Sequence, residues 1–247
     1  MIYKRIEDIT YRLDGDDYLN LPEITYNTIP IVLPKEHMVQ YKILKKKAIV
    51  ELEENTVAAT FAAALSMKLR QFVQGAMYID DKGNYEKVHE EKVRALKELM
   101  EESDGQGILC AIQFKFEVDM IRKYFPDAPL IAGKRKGEEQ ADKVETIRKW
   151  NRGEIPLLLC HPASLSHSVN MQYGSHLLLW YSIPWSLEQY LQLNKRLHRQ
   201  GQKNAVIIHH LVARGTIDEL IMKALLDKNT SQQALLDYLK ELRQDEY

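Results

Sequence analysis

The sequence predicts an α/β fold: a parallel sheet covered by helices on both faces, with an N-terminal helical appendage and a small hairpin. Two observations predict it. From Val88 onward, short apolar runs alternate with helical patterns, and strands buried on both faces read as continuous apolar runs because crossover helices cover them. Upstream, Lys35 to Gln74 contains neither Gly nor Pro and is rich in Ala, Leu, Lys and Glu, a helical composition. The division implied is an appendage over 1–87 and a sheet domain over 88–247. A chain of 247 residues is long enough for that core.

The elements follow in order. Residues 1 to 34 read as short extended pieces punctuated by Asp14-Gly15-Asp16-Asp17 and by Pro22, Pro30 and Pro34, with one strand, Ile29 to Leu33, between prolines. Two helices fit Lys35 to Gln74, broken near Asn55, whose side chain suits a cap. Met77 to Tyr85 reads as a hairpin turning at Lys82-Gly83-Asn84. A charged helix (Glu90 to Glu102) then leads into the apolar run Ile108 to Ile112, a helix from about Lys115 to Tyr124, and the short run Pro129 to Gly133. A polar helix from about Glu138 to Asn151 precedes the run Pro156 to Cys160, in which Pro156 opens a strand. The run His176 to Trp180, a helix around residue 192, the run Ala205 to Val212, and two closing helices (Thr216 to Leu226 and Gln232 to Arg243) complete the chain.

Bulk properties narrow the function classes. With 45% hydrophobic and 28% charged residues the chain is an ordinary globular one. A net charge of -1 exerts no global pull on nucleic acid or acidic membranes, so any such site is a local patch. Cys110 and Cys160 each sit in an apolar run and read as buried free thiols of a reducing compartment. No run approaches bilayer length and the N-terminal residues show no apolar signal core. The expectation is a cytoplasmic protein with no membrane partner.

The chemistry concentrates in two places. In Gln-Leu-Asn-Lys-Arg-Leu-His-Arg-Gln-Gly-Gln, residues 192 to 202, a helical wheel puts Gln192, Arg196 and Arg199 on one face and Tyr190, Leu193 and Leu197 on the other, with Gly201 ending the helix. Two guanidiniums one turn apart, permanently charged and rich in donors, suit phosphate oxygens. The same spacing also fits an amphipathic surface helix with solvated charges. The second place is the loop His161 to Gln172, dense in hydroxyls, imidazoles and an amide. In open parallel sheets ligands bind beyond the carboxyl ends of strands, and the sheet pattern puts the arginines at such a ligand-facing edge. A plain strand-to-helix loop with Ser and Asn caps is the bland alternative.

His161 and His167 lack a third ligand at workable spacing, so no metal site is expected. His209 and His210 fall within a strand and read as packing residues; Lys134 and Arg135 read as solvated. No G-x-x-x-x-G-K-[ST] phosphate loop occurs, and no Asp-Glu pair closes an apolar strand. The chain therefore offers arginines for a phosphate but no cradle of its own for a nucleotide.

These residues carry a resemblance. Gln192-x-x-x-Arg196-x-x-Arg199-x-Gly201-Gln202 resembles motif VI of superfamily 2 helicases, in the form typical of Swi/Snf-type DNA translocases. The His161 to Gln172 loop resembles motif V, with Ser168-Val169-Asn170-Met171 where the family has Gly-Leu-Asn-Leu; its wording is nearest to virus- and prophage-encoded members. Ile108 to Phe114 resembles motif IV, and Gly215-Thr216-Ile217-Asp218-Glu219 resembles the helix start that follows motif VI.

The resemblance covers nearly the whole chain and implies a RecA-like C-terminal lobe (88–247), preceded over 1–87 by the tail of lobe 1 and inter-lobe helices. ATP and Mg2+ would be held mainly by lobe 1, which is the implied partner, together with a DNA backbone. Arg196 and Arg199 would reach the triphosphate as catalytic arginines, with Gln192, Asn170, Ser168, Gly201 and Gln202 at the nucleotide and His161 and Ser164 at the DNA. Family members usually carry glycine where Ser166 and Ser168 stand, and serine there either donates a hydroxyl or crowds the loop. A non-catalytic helicase-like module that binds nucleic acid or a partner protein is the alternative.

Overall fold

In the computed structural model, which describes residues 21–53, 58–131, 143–165 and 169–227, one six-stranded sheet organises the chain. Its strands are β1 (Ile24–Ile31), β4 (Ile108–Ala111), β5 (Leu130–Ile131), β6 (Leu157–Cys160), β7 (Leu177–Trp180) and β8 (Val206–Ala213), in the order β1-β8-β7-β4-β6-β5, and every pairing is parallel. The helices are α1 (Lys35–Glu53), α2 (Ala58–Val73), α3 (Glu91–Glu102), α4 (Lys115–Arg122), α5 (Lys143–Asn151), α6 (Leu187–Leu197) and α7 (Ile217–Leu226). A two-stranded hairpin, β2 (Ala76–Tyr78) with β3 (Tyr85–Lys87), stands apart. The second closing helix, Asn55, the Lys134-Arg135 turn, Ser166, His167 and Ser168 lie outside the described residues.

The three central strands are wholly buried, as their unbroken apolar runs require. β1 departs from expectation: it starts at Ile24, not Ile29, and carries Thr25, Tyr26, Asn27 and Thr28 in register with β8. As an edge strand it has one neighbour and a largely exposed surface, so it shows no apolar run, and Pro30 costs no ladder bond on the free side. This outer strand of the sheet comes from within the first 87 residues. The hairpin turns as predicted, with the Asp80 carboxylate accepting the backbone N–H groups of Lys82 (3.0 Å) and Asn84 (2.9 Å).

Both indole N–H groups buried in the core are matched. Trp180 Nε1 donates to Asn194 Oδ1 at 3.0 Å, and Trp150 Nε1 to the Met171 carbonyl at 2.9 Å. Cys110 and Cys160 are buried free thiols, and burial pushes both upward in pKa. His210 packs between Tyr26 and Tyr190 and lies 2.9 Å from the Tyr190 hydroxyl. It is a packing residue, as its strand position implied.

Burial pushes His210 down to about 4, and burial with the nearby His37 does the same to His89. Both are neutral in the fold, whereas the unfolded imidazole titrates near 6.5. The unfolded chain thus binds more protons between about pH 6.5 and 4, and stability falls as pH drops through that window. At pH 5 each histidine is expected to withdraw about 2 kcal/mol. Urea melts at pH 7 and pH 5 measure this; a midpoint that stays put would exclude it.

Candidate functional site

Helix α6 begins where Ser186 Oγ accepts the backbone N–H of Gln189 at 3.2 Å. It buries Tyr190, Leu193, Asn194 and Leu197 and keeps Arg196 half-buried. The helix ends at Leu197, four residues earlier than the wheel assumed, with His198 as the cap. His198 Nε2 donates to the Pro22 carbonyl at 2.8 Å, which pins this end beside the start of β1. Arg199 therefore belongs to a turn that closes through Gly201, whose φ of 97° is the left-handed conformation glycine allows.

The shared face thus holds for Gln192 and Arg196 but not for Arg199. Arg199 is exposed, yet it remains within electrostatic reach of its neighbour: the Arg196 guanidinium is lowered in pKa first by burial and then by the charge of Arg199. Gln192 is occupied elsewhere, donating from Nε2 to Glu188 Oε1 at 2.8 Å.

The edge of the sheet also differs from expectation. α6 descends from the carboxyl end of β7 and delivers the arginines to the amino edge, from which β8 sets out. Gln202 Nε2 donates to the carbonyls of Gln172 (2.9 Å) and Ser175 (3.0 Å), just ahead of β7. The carboxyl-edge rule concerns ligands seated in the crevice at a topological switch point of the sheet. Here the helix polarity, not that rule, places the arginines.

The loop from His161 to His176 joins the carboxyl end of β6 to the amino end of β7, and both strands flank β4 in parallel. Its described ends, His161 to Leu165 and Val169 to His176, therefore lie toward opposite edges of the sheet. At the carboxyl edge a single 3-10 turn (Pro162–Leu165) holds Ser164, whose N–H donates to the His161 carbonyl at 2.8 Å and whose carbonyl accepts Lys143 Nζ at 2.6 Å. His161 is half-buried, and burial lowers its pKa.

At the amino edge Asn170 is exposed, and its carbonyl accepts Asn151 Nδ2 at 2.8 Å. Gly174 follows because a Cβ there would sit 2.3 Å from the Trp150 carbonyl oxygen. The structure so brings Arg196, Arg199, Asn170, Gly201 and Gln202 to one edge and His161 and Ser164 to the other. Gln202 has no spare hydrogen-bonding capacity, since its Oε1 accepts the N–H groups of Lys203 (2.9 Å) and Asn204 (3.1 Å) while Nε2 makes the two bonds above.

Sequence reasoning missed a buried charge network at the carboxyl edge. Lys92 Nζ lies 2.6 Å from Asp218 Oδ2 with both side chains excluded from solvent, and it also donates to the Tyr181 carbonyl at 3.1 Å. The Glu117 carboxylate accepts the N–H groups of Gln113 (2.8 Å) and Phe114 (3.0 Å) and the Ser182 hydroxyl. Arg70 on α2 donates to the Ile183 carbonyl at 3.1 Å and covers the Phe114 ring. A signal was present: Lys92 stands at the position three, four and seven residues ahead of the buried Ala95, Leu96 and Leu99, a charge inside an apolar stripe.

Among the described residues no three His, Cys, Asp or Glu side chains gather as a metal site. None of the described helices is long and apolar enough to cross a membrane.

Comparison with known proteins agrees with this fold. Residues 91–201 match the helicase conserved C-terminal domain. Over 240 residues the chain is 35% identical to putative protein p41 of Acyrthosiphon pisum secondary endosymbiont phage 1, covering 95% of this chain and 50% of that protein. The chain thus spans about half the length of this relative, and far less of the chromatin-remodeling factors it also matches. The fold superposes on the C-terminal part of the Fun30 ATPase domain with a TM-score of 0.67 at 15% identity, covering 91% of this chain and 99% of that one. It also superposes on the Sulfolobus solfataricus SWI2/SNF2 ATPase core in complex with dsDNA, with a TM-score of 0.64 at 20% identity, covering 91% of this chain and 49% of that one. The sheet and its helices thus have the RecA-like fold of Swi2/Snf2 ATPase C-terminal lobes, and residues 91–201 are similar to the helicase conserved C-terminal domain.

Proposed function

We propose that this chain is the C-terminal half of an ATP-driven DNA translocase, contributing arginines to a nucleotide site completed by a lobe 1. The observation that carries this reading is the loop from His161 to His176. It joins an edge bearing Ser164 and His161 to the edge where Arg196 and Arg199 project.

Under this reading Arg199 and Arg196 donate to phosphate oxygens at the amino edge, stabilising charge that develops there. Asn170 stands at the same edge for the nucleotide, whereas Gln192 and Gln202 hold backbone and side chains in place. Ser168 remains a candidate for the nucleotide from its place in the motif. Ser164 and His161 contact a DNA phosphate without reading bases, so binding is indifferent to sequence and weakened by salt. The triphosphate and Mg2+ would be held by lobe 1; bound there, they supply the reacting phosphoryl group and its charge neutralisation.

The purified 247-residue chain is expected to show negligible DNA-stimulated ATP hydrolysis, and joining it to a lobe 1 to restore it. Robust hydrolysis by the chain alone refutes the composite site. A joined protein that binds DNA but never hydrolyses ATP favours a non-catalytic binding module.

A further inference from the structure

The edge that carries Arg199 also carries an aromatic ring that no motif accounts for. Tyr173 is 61% exposed, more than any other aromatic side chain among the described residues. Its place is nonetheless fixed. Two residues to either side, the Met171 carbonyl accepts Trp150 Nε1 at 2.9 Å and the Ser175 carbonyl accepts Gln202 Nε2 at 3.0 Å. Between them Gly174 is pressed against the Trp150 carbonyl. The ring itself rests by one edge on Gly201: a Cβ on that glycine would stand 3.2 Å from the Tyr173 hydroxyl and 3.5 Å from its Cε1. Edge contact leaves the faces of the ring open to solvent.

Packing does not account for such a ring. Tyr41, Tyr181 and Tyr190 are each less than a tenth exposed and contribute through burial, whereas Tyr173 keeps most of its surface in water. An aromatic side chain that is already held, with two torsions and open faces, is what a flat ligand stacks on at small entropic cost. Its neighbours narrow the ligand. The Gln202 N–H donates to the Arg199 carbonyl at 3.0 Å, closing the turn through Gly201, so the ring lies beside the turn from which Arg199 projects. Asn170 is exposed at the same edge. A guanidinium for phosphate oxygens next to an uncovered aromatic face matches the two halves of a nucleotide, a charged phosphate chain and a planar base. A single strand of DNA presents the same pair, but DNA is assigned above to the opposite edge, at Ser164 and His161.

We infer that Tyr173 is a binding residue for the nucleobase, its ring stacking on the base of the ATP whose phosphates meet Arg199. This rests on the composite-site reading above. The ATP is held mainly by a lobe 1, and the tyrosine closes on its base from this lobe. Because every base has a π face, the contact adds affinity with little choice among bases.

Tyr173→Leu and Tyr173→Phe, each in the chain joined to a lobe 1, test this. Leucine still covers Gly201 but has no π face; phenylalanine keeps the face and loses only the hydroxyl. Tyr173→Leu should raise KM for ATP roughly 5- to 100-fold with kcat kept, the range for one stacked base. Tyr173→Phe should leave KM unchanged. Inhibition by inorganic triphosphate, which has no base, should be the same in all three proteins. An unchanged KM in Tyr173→Leu overturns the proposal. So does a loss of kcat or of triphosphate binding, which would make the ring a prop for the arginine turn. A raised Kd for single-stranded DNA with KM for ATP kept also overturns it and moves the contact to nucleic acid. Photolabelling by 8-azido-ATP reads the contact without turnover: label on the segment around Tyr173 supports it, and label confined to lobe 1 overturns it. Arg199→Ala in the same joined protein separates the two ideas. If it leaves turnover intact, the composite-site reading fails. If it abolishes turnover while Tyr173→Leu keeps its KM, only the base contact fails.

Discussion

Arg199→Ala, in a motor formed by joining this chain to a lobe 1, should lower ATP turnover by roughly 10³- to 10⁵-fold, the range for an arginine donated in trans to a transferring phosphoryl group. The structure makes this substitution informative. Arg199 is exposed and lies outside the helix, so removing its side chain should change stability by only about 0.5 kcal/mol. Arg196 is half-buried, and its replacement mixes lost packing with lost chemistry. Arg199→Lys should restore little, because an ammonium is a point charge without the planar fork that matches phosphate oxygens. Turnover at saturating ATP and DNA, alongside a thermal melt, measures both quantities. Near-normal turnover for Arg199→Ala would strip the residue of its assigned role.

Much of this arrangement was legible in the sequence, for reasons that differ by element. Leu157–Cys160 and Leu177–Trp180 announced themselves because central parallel strands are apolar on both faces. β1 was located only in part because an edge strand needs no apolar alternation; partnership with β8, invisible locally, makes Ile24 to Thr28 extended. The arginines were found by spacing, but the wheel carried the helix through to Gly201 when His198 had already ended it. Nothing local predicts that stop, since the Pro22 carbonyl that accepts from His198 comes from 176 residues earlier. The edge was misjudged for a comparable reason. A motif shows which atoms meet a ligand, whereas only the path of α6 between β7 and β8 shows where in the sheet they sit. Lys92 was legible in principle, yet a lysine in an apolar stripe is readily passed over until its carboxylate partner, 126 positions away, is brought against it.

Lys92→Met should be the most destabilising single change at this network, costing about 3–5 kcal/mol, because it leaves a carboxylate buried without its counter-charge. Asp218 is 1% exposed; its remaining hydrogen-bond partners, the Ala213 N–H at 3.1 Å and Gln74 Nε2 at 3.4 Å, are neutral donors, and Arg70 acts on it through charge without a hydrogen bond. Methionine fills the volume of the lysine stem, so the loss is electrostatic and not a cavity. Against a typical total of about 5–15 kcal/mol this is a large share, and an unfolding temperature lower by about 6–20 °C is expected. Adding Asp218→Asn should recover most of it: the amide oxygen still accepts from Ala213 while the uncompensated charge disappears. Thermal melts of the two single variants and the double variant give the coupling directly. Were the double variant as unstable as the sum of the singles, the pair would be two independent packing residues. The ion pair joins α3 to the start of α7, and its lysine also holds the Tyr181 carbonyl at the carboxyl end of β7. A deficit confined to Lys92→Met and repaired in the double variant would identify charge balance, rather than packing volume, as what fixes α7 and the β7 exit against the sheet.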